Sequence, residues 1–230
     1  MRQTDRLIIN VLSNYGLTVV AGIASLIVVP IVVNDLTQTG YGLAMMLLSG
    51  ITVTTTLGNA VNRAMQRYLP QDLESADPDR VNGTFNSAMA MFGMLGFLAA
   101  VTMLLVRNWY LDDPGITPEL RADGNMAFFA VAIFMLVEGP LLTFQAGLEA
   151  IQRFDLVGAY TGATTVLRML VIIAFFKLGA GSIVVFALSH MVAMILASVM
   201  FFICLKRAIP KLEFSIRHIR PDRFKILLVF

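Results

Sequence analysis

Apolar residues in this chain come in long unbroken runs rather than at alternating positions. Six windows, near 11–33, 41–62, 85–106, 126–148, 157–178 and 182–204, are dominated by apolar side chains. Each has the length of about 20 residues at which a helix crosses the roughly 30 Å hydrocarbon layer. The pattern predicts an all-α, polytopic helical membrane protein with residues 1–204 as an N-terminal six-helix transmembrane bundle. A further run opens at Phe224 and reaches Phe230; it reads as the start of a truncated seventh span, with 205–223 as a basic cytoplasmic linker and the chain as a fragment.

Polar positions inside the runs recur at helical spacing. Thr52, Thr55, Thr56, Asn59, Arg63 and Gln66 fall on one face of the second window, at steps of three and four. Thr161, Thr164, Thr165 and Arg168 form such a stripe in the fifth, Glu138, Gln145, Glu149 and Gln152 in the fourth, and Asn10, Asn14, Thr18 and Ser25 in the first. Polar side chains are costly in hydrocarbon, so these faces are expected to meet other helices or a wet cavity.

Hydroxyls satisfy that demand through hydrogen bonds between helices. Glu138 and Arg168 are harder to place, because a charge near a helix centre costs about 2.5–3.5 kcal/mol even on the milder insertion scale. Both sit midway along consecutive, antiparallel windows, and hence near one depth. Three readings stay open: an ion pair locking the fourth span to the fifth; Arg168 as the cationic floor of a substrate cavity, with Glu138 tuning it or carrying a proton; or Arg168 snorkelling or meeting a missing part of the chain. His190, in "LSHMV", is either a hydrogen-bonded packing residue or a protonation switch. The candidate cavity residues are therefore Arg168, Glu138, Arg63, Asn59, Thr165 and Gln145, with Glu138 and His190 as candidates for proton or ion coupling.

Composition agrees with the runs. The chain is 57% hydrophobic and 14% charged, against about 45–50% and 25% for a soluble domain. A net charge of +2, without a basic patch interleaved with aromatics, gives no reason to expect nucleic acid. Cys204 is the one cysteine, so no internal disulfide forms, and it reads as a small core residue. His190 and His218 are isolated and no glycine-rich phosphate loop occurs, so no enzyme activity, metal site or cofactor is expected.

Charge placement gives a topology. Arg2, Arg6, Arg63, Arg67, Arg80, Arg153 and the six basic residues of 205–223 lie at the N-terminus and even-numbered loops, whereas the other loops hold Arg107, Arg121 and Lys177. Short cytoplasmic loops are enriched in Lys and Arg, which places the N-terminus in the cytoplasm. Tyr41, Trp109 and Tyr110 fall at window ends, where amphipathic rings favour the headgroup layer. In "TPEL", Thr117 and Pro118 predict the start of a short helix outside the membrane. Pro30 and Pro140 lie within windows and invite kinks. "AMQRYLP" (64–70) and "AIQRFDL" (150–156) share Ala, Gln, Arg and an aromatic in register, pointing to a repeated hairpin.

The stretches "VVPIVVNDLTQTGYGLAMMLLSG" (28–50) and "FQAGLEAIQRFDLVG" (144–158) resemble the polysaccharide-export family of lipid-linked oligosaccharide flippases. That family lies within the superfamily of multidrug/oligosaccharidyl-lipid/polysaccharide exporters, and the resemblance covers the chain as an N-terminal half. It implies a bacterial inner-membrane protein that moves undecaprenyl-diphosphate-linked glycan to the outer leaflet by alternating access. Arg168, with Arg63 nearer the cytoplasmic mouth, would then meet the diphosphate as planar, permanently charged groups. A second bundle would come from a missing C-terminal half or another copy. The alternatives are an ion-coupled multidrug exporter of the same superfamily, and a non-transporting membrane scaffold that recruits partners through 205–223.

Overall fold

The computed structural model describes residues 3–75 and 77–228, and between 3 and 25 the side chains of only Gly16, Val19, Gly22 and Ile23. The stripe expected at Asn10, Asn14, Thr18 and Ser25 lies outside the described side chains. The described chain is helical: α1 (Gln3–Glu74), α2 (Pro78–Leu111), α3 (Pro118–Ala150), α4 (Phe154–Lys177), α5 (Ile183–Ala208), a 3-10 turn (Ile216–His218) and α6 (Pro221–Leu228). Five helices are long and apolar enough to cross a membrane: Leu26–Glu74 within α1, and α2, α3, α4 and α5.

α1 is two helices joined end to end at Thr37, whose backbone has φ 65° and ψ 168°. That region is close to glycine-only territory. The Thr37 hydroxyl accepts from the Gly40 amide at 3.4 Å, so Thr37 caps the arm that follows. Val28 and Leu48 line one cavity, although a straight helix would set residues that far apart in sequence about 30 Å apart. The chain therefore doubles back at Thr37, and two expected windows become two arms of a tight reversal.

Capping residues set the other starts. Asp77 accepts from Asp79 N at 3.0 Å ahead of Pro78, and Ser182 accepts from Val185 N at 3.2 Å. Thr117 caps Leu120 N at 3.3 Å, as the sequence predicts. The expected separate outer helix is instead the first turn of α3, which runs on for 33 residues. Gly179, with φ 72°, ends α4 in the left-handed conformation that releases the turn into α5.

Glycine brings α2 and α3 together. A Cβ on Gly96 would lie 2.3 Å from the Met135 carbonyl oxygen, and one on Gly139 would lie 2.5 Å from that of Phe92. Small residues allow such backbone approach where helices associate without a hydrophobic drive from water. Exposed faces carry Leu105, Trp109, Ile133 and Val192, and Trp109 lies tilted against Tyr110 with ring centroids 5.1 Å apart.

The core is divided into two apolar clusters along the helix axes. One, toward Thr37, holds Leu47, Phe128, Phe134, Ile172, Phe176, Ile183 and Phe186. The other, toward 209–220, holds Met65, Leu69, Phe85, Phe144, Leu148, Phe201, Leu205 and Leu212. Between them, in sequence order along each helix, lie Thr54, Glu138, Arg168 and His190. These four form a polar seam across the middle of the helices.

Within the expected linker 205–223, residues 205–208 finish α5 and 221–223 open α6, and the segment 209–220 between them is a docked strap. Asn82 Oδ1 accepts from Glu213 N at 2.9 Å, and Asn86 donates to Glu213 O at 2.7 Å and accepts from Ser215 N at 3.0 Å. Ser87 Oγ accepts from Arg220 N at 3.1 Å. Phe214 enters a ring cluster with Phe85, Phe144 and Phe202 at centroid distances of 5.6, 5.7 and 5.5 Å. Beyond it, Arg223 on α6 pairs at 3.1 Å with Asp72, a buried carboxylate that also accepts from Thr84 at 2.6 Å.

Candidate functional site

A cavity of about 370 Å3 opens between α1, α4 and α5, with Arg168, His190 and Thr165 as its polar lining and Val28, Tyr41, Met45, Leu48, Ile172 and Phe186 among the remainder. The threonine stripe of α4 explains the placement. Thr164 and Thr165 donate to the carbonyls of Tyr160 and Thr161 at 2.9 and 2.8 Å, so these hydroxyls are satisfied inside their own helix. One turn on, Arg168 has no such local option and reaches across to α5.

Its partner there is His190: Arg168 Nη1 meets His190 Nδ1. A guanidinium can only donate, so Nδ1 is the acceptor and the imidazole hydrogen sits on Nε2. Among the described residues Arg168 makes no ion pair, and no carboxylate lines the cavity. Of the readings left open, the Arg168–Glu138 ion pair is therefore not formed among the described residues. Glu138 is 2% exposed, and both carboxyl oxygens lack a hydrogen-bond partner. The next residue, Gly139, packs against the Phe92 carbonyl of α2, so this turn of α3 is held close to α2.

Of the six predicted cavity residues, the structure brings Arg168 and Thr165 together and adds His190. Asn59 and Arg63 are exposed on the second arm of α1, and Gln145 belongs to a different cluster. That cluster centres on Glu149. Asn62 and Gln66 donate to its Oε2 at 2.7 and 3.0 Å, and Gln145 donates to Oε1 at 2.9 Å. Three neutral amides thus donate to one carboxylate, and two of them bind α1 to α3. The signal was present as two polar pairs at four-residue spacing, Asn62 with Gln66 and Gln145 with Glu149, on helices that face each other.

The repeated motif has unlike backbones in its two copies. Residues 64–70 lie inside α1, whereas 150–156 form the α3–α4 turn, where Gln152 has φ 59°. Both copies line one open cleft that includes Gln66, Arg67, Pro70, Gln152 and Phe154. They are opposing walls rather than equivalent hairpins. Cys204 lies against Tyr160, its sulfur 3.5 Å from the phenol oxygen, in a packing role.

Helices of this length and apolarity, with a polar seam at mid-length, define a class of helical proteins built to cross a membrane. No family model, curated protein or solved structure matches the chain.

Proposed function

We propose that the chain is the N-terminal six-span bundle of a membrane transporter that carries an anionic, lipid-linked glycan from the cytoplasmic to the outer leaflet. The single observation that carries this reading is a guanidinium lining a mid-depth cavity with no carboxylate beside it among the described residues. An unpaired cation is expensive at that depth, and an anionic substrate group supplies the missing partner in planar, bidentate form. A diphosphate linking glycan to undecaprenol has that chemistry.

The reversal at Thr37 supports six spans, because it divides the longest helix into two. Arg153, Arg80 and the strap lie at the end of the helices that the positive-inside pattern assigns to the cytoplasm, with the inner membrane of a bacterium as the location. Asn59 and Arg63, exposed on one face of α1, favour a water-filled space closed by a second bundle from the rest of the polypeptide or another copy. Glu138, buried and without a partner, is the candidate for proton coupling, with His190 beside the substrate.

The test is translocation of a fluorescent diphosphate-linked isoprenoid glycan in liposomes that hold the chain together with its second bundle, read by quenching of the outward-facing dye. Wild type is expected to move the probe, and Arg168→Gln to abolish movement at unchanged abundance. Uptake of organic cations instead of the anionic lipid would favour a drug exporter. Absence of any transport would favour a scaffold.

A further inference from the structure

Arg168 borders a second recess on another flank of α4. A groove of about 280 Å3 between α4 and α5 is walled by Leu167, Val171, Phe175, Leu188 and Val192. Leu167, Phe175, Leu188 and Val192 are 41, 45, 42 and 54% exposed, so the groove opens outward, toward where lipid would lie. Ser189 also lines it, but its hydroxyl donates to the Phe186 carbonyl at 2.7 Å and is spent within α5. The guanidinium carries five donors, and His190 is its one acceptor among the described residues. An apolar groove open to the side is therefore bordered by a cation with no anionic partner among the described residues, and the same residue lines the larger cavity.

We infer that the α4–α5 groove seats the hydrocarbon chain of the transported lipid, with its phosphate held at Arg168 and its headgroup turned into the larger cavity. The assignment rests on the transport reading above and adds the route of the tail to it. Charge complementarity selects the occupant: a neutral lipid would fill the groove and leave the guanidinium unmatched, whereas a phosphate at the head of an apolar chain satisfies both ends together. The tail stays in hydrocarbon throughout, and only the polar head needs the protein interior.

The experiment uses the full chain in phosphatidylcholine nanodiscs and farnesyl monophosphate with a diazirine at the tail end. The control is the same tail as the free alcohol. The phosphate probe is expected to label peptides spanning 167–175 and 185–192, with the alcohol and Arg168→Gln each labelling about tenfold less, the equivalent of one step in affinity. Arg168→Lys keeps the charge and should retain most labelling. Val171→Trp fills the groove and should suppress labelling while the protein remains monodisperse. Equal labelling by alcohol and phosphate, or labelling spread over unrelated exposed faces such as Phe97 and Leu98 of α2, would overturn the groove assignment. Translocation with no groove labelling would leave transport standing and remove the tail site; groove labelling with no translocation would remove transport and keep the lipid site.

Discussion

Arg168 of α4 donates to Nδ1 of His190 on α5, twenty-two residues away in sequence, across the polar seam between the two apolar clusters. Sequence alone offered Glu138 as its partner, because opposite charges at one depth are the cheapest guess. A double-mutant cycle separates the two pairings. Arg168→Gln with His190→Ala should show a coupling of about 1–2 kcal/mol in thermal or denaturant unfolding. The cycle with Glu138→Gln should be additive to within about 0.5 kcal/mol; coupling to Glu138 as large as that to His190 would reject the observed geometry.

Glu138 has both carboxyl oxygens buried and unpartnered among the described residues. Leaving a buried polar group unsatisfied costs about 1–3 kcal/mol. Glu138→Met, similar in length and apolar, is expected to raise the unfolding midpoint. A drop in the midpoint would mean that the carboxyl makes a stabilising contact.

The α2–α3 contact depends on missing side chains. Gly139→Ala would push a methyl to within 2.5 Å of the Phe92 carbonyl oxygen, and overpacking of this kind costs about 1–3 kcal/mol. Gly42, with nothing within 4 Å of its added Cβ, is the internal control. There alanine should stabilise the helix by about 0.5–1 kcal/mol. Equal effects at the two sites would show that helix propensity, not close approach, governs both.

The strap is held chiefly by Asn82 and Asn86. Asn86→Ala removes a donor to Glu213 O and an acceptor for Ser215 N, each hydrogen bond worth about 1 kcal/mol. Limited trypsin digestion at Lys211 and Arg217 should accelerate several-fold in the variant while cleavage elsewhere is unchanged. An unaltered cleavage rate would show that the Phe214 ring cluster suffices to dock the segment.

What was legible in the sequence follows from what each signal measures. Apolar runs located the cores of α2 to α5 because transfer to hydrocarbon depends on composition alone. They missed the ends: α2 begins at Pro78 and α1 continues to Glu74, since these turns carry Asn82, Asn86 and Asp72, whose partners lie more than ten residues distant in the chain. The caps at Thr117 and Ser182 are local, so Thr117 could be read directly. The reversal at Thr37 rests on one unusual φ/ψ pair, which "DLTQTG" hints at only by its polarity. The cavity was half legible. Periodicity put Thr165 and Arg168 on one face, but the partner of Arg168 is His190 on α5, a contact between helices that spacing along one helix does not encode.

The polar seam also has an electrical meaning. In a transporter of the proposed kind, a charge at Arg168 sits about halfway through the transmembrane field, which is worth about 2.3 kcal/mol per elementary charge per 100 mV over its full span. An anion arriving there from either surface crosses about half of that drop. Membrane voltage would then bias how long the substrate rests at the seam, by roughly 1 kcal/mol per charge at 100 mV, without any gating charge on a moving helix.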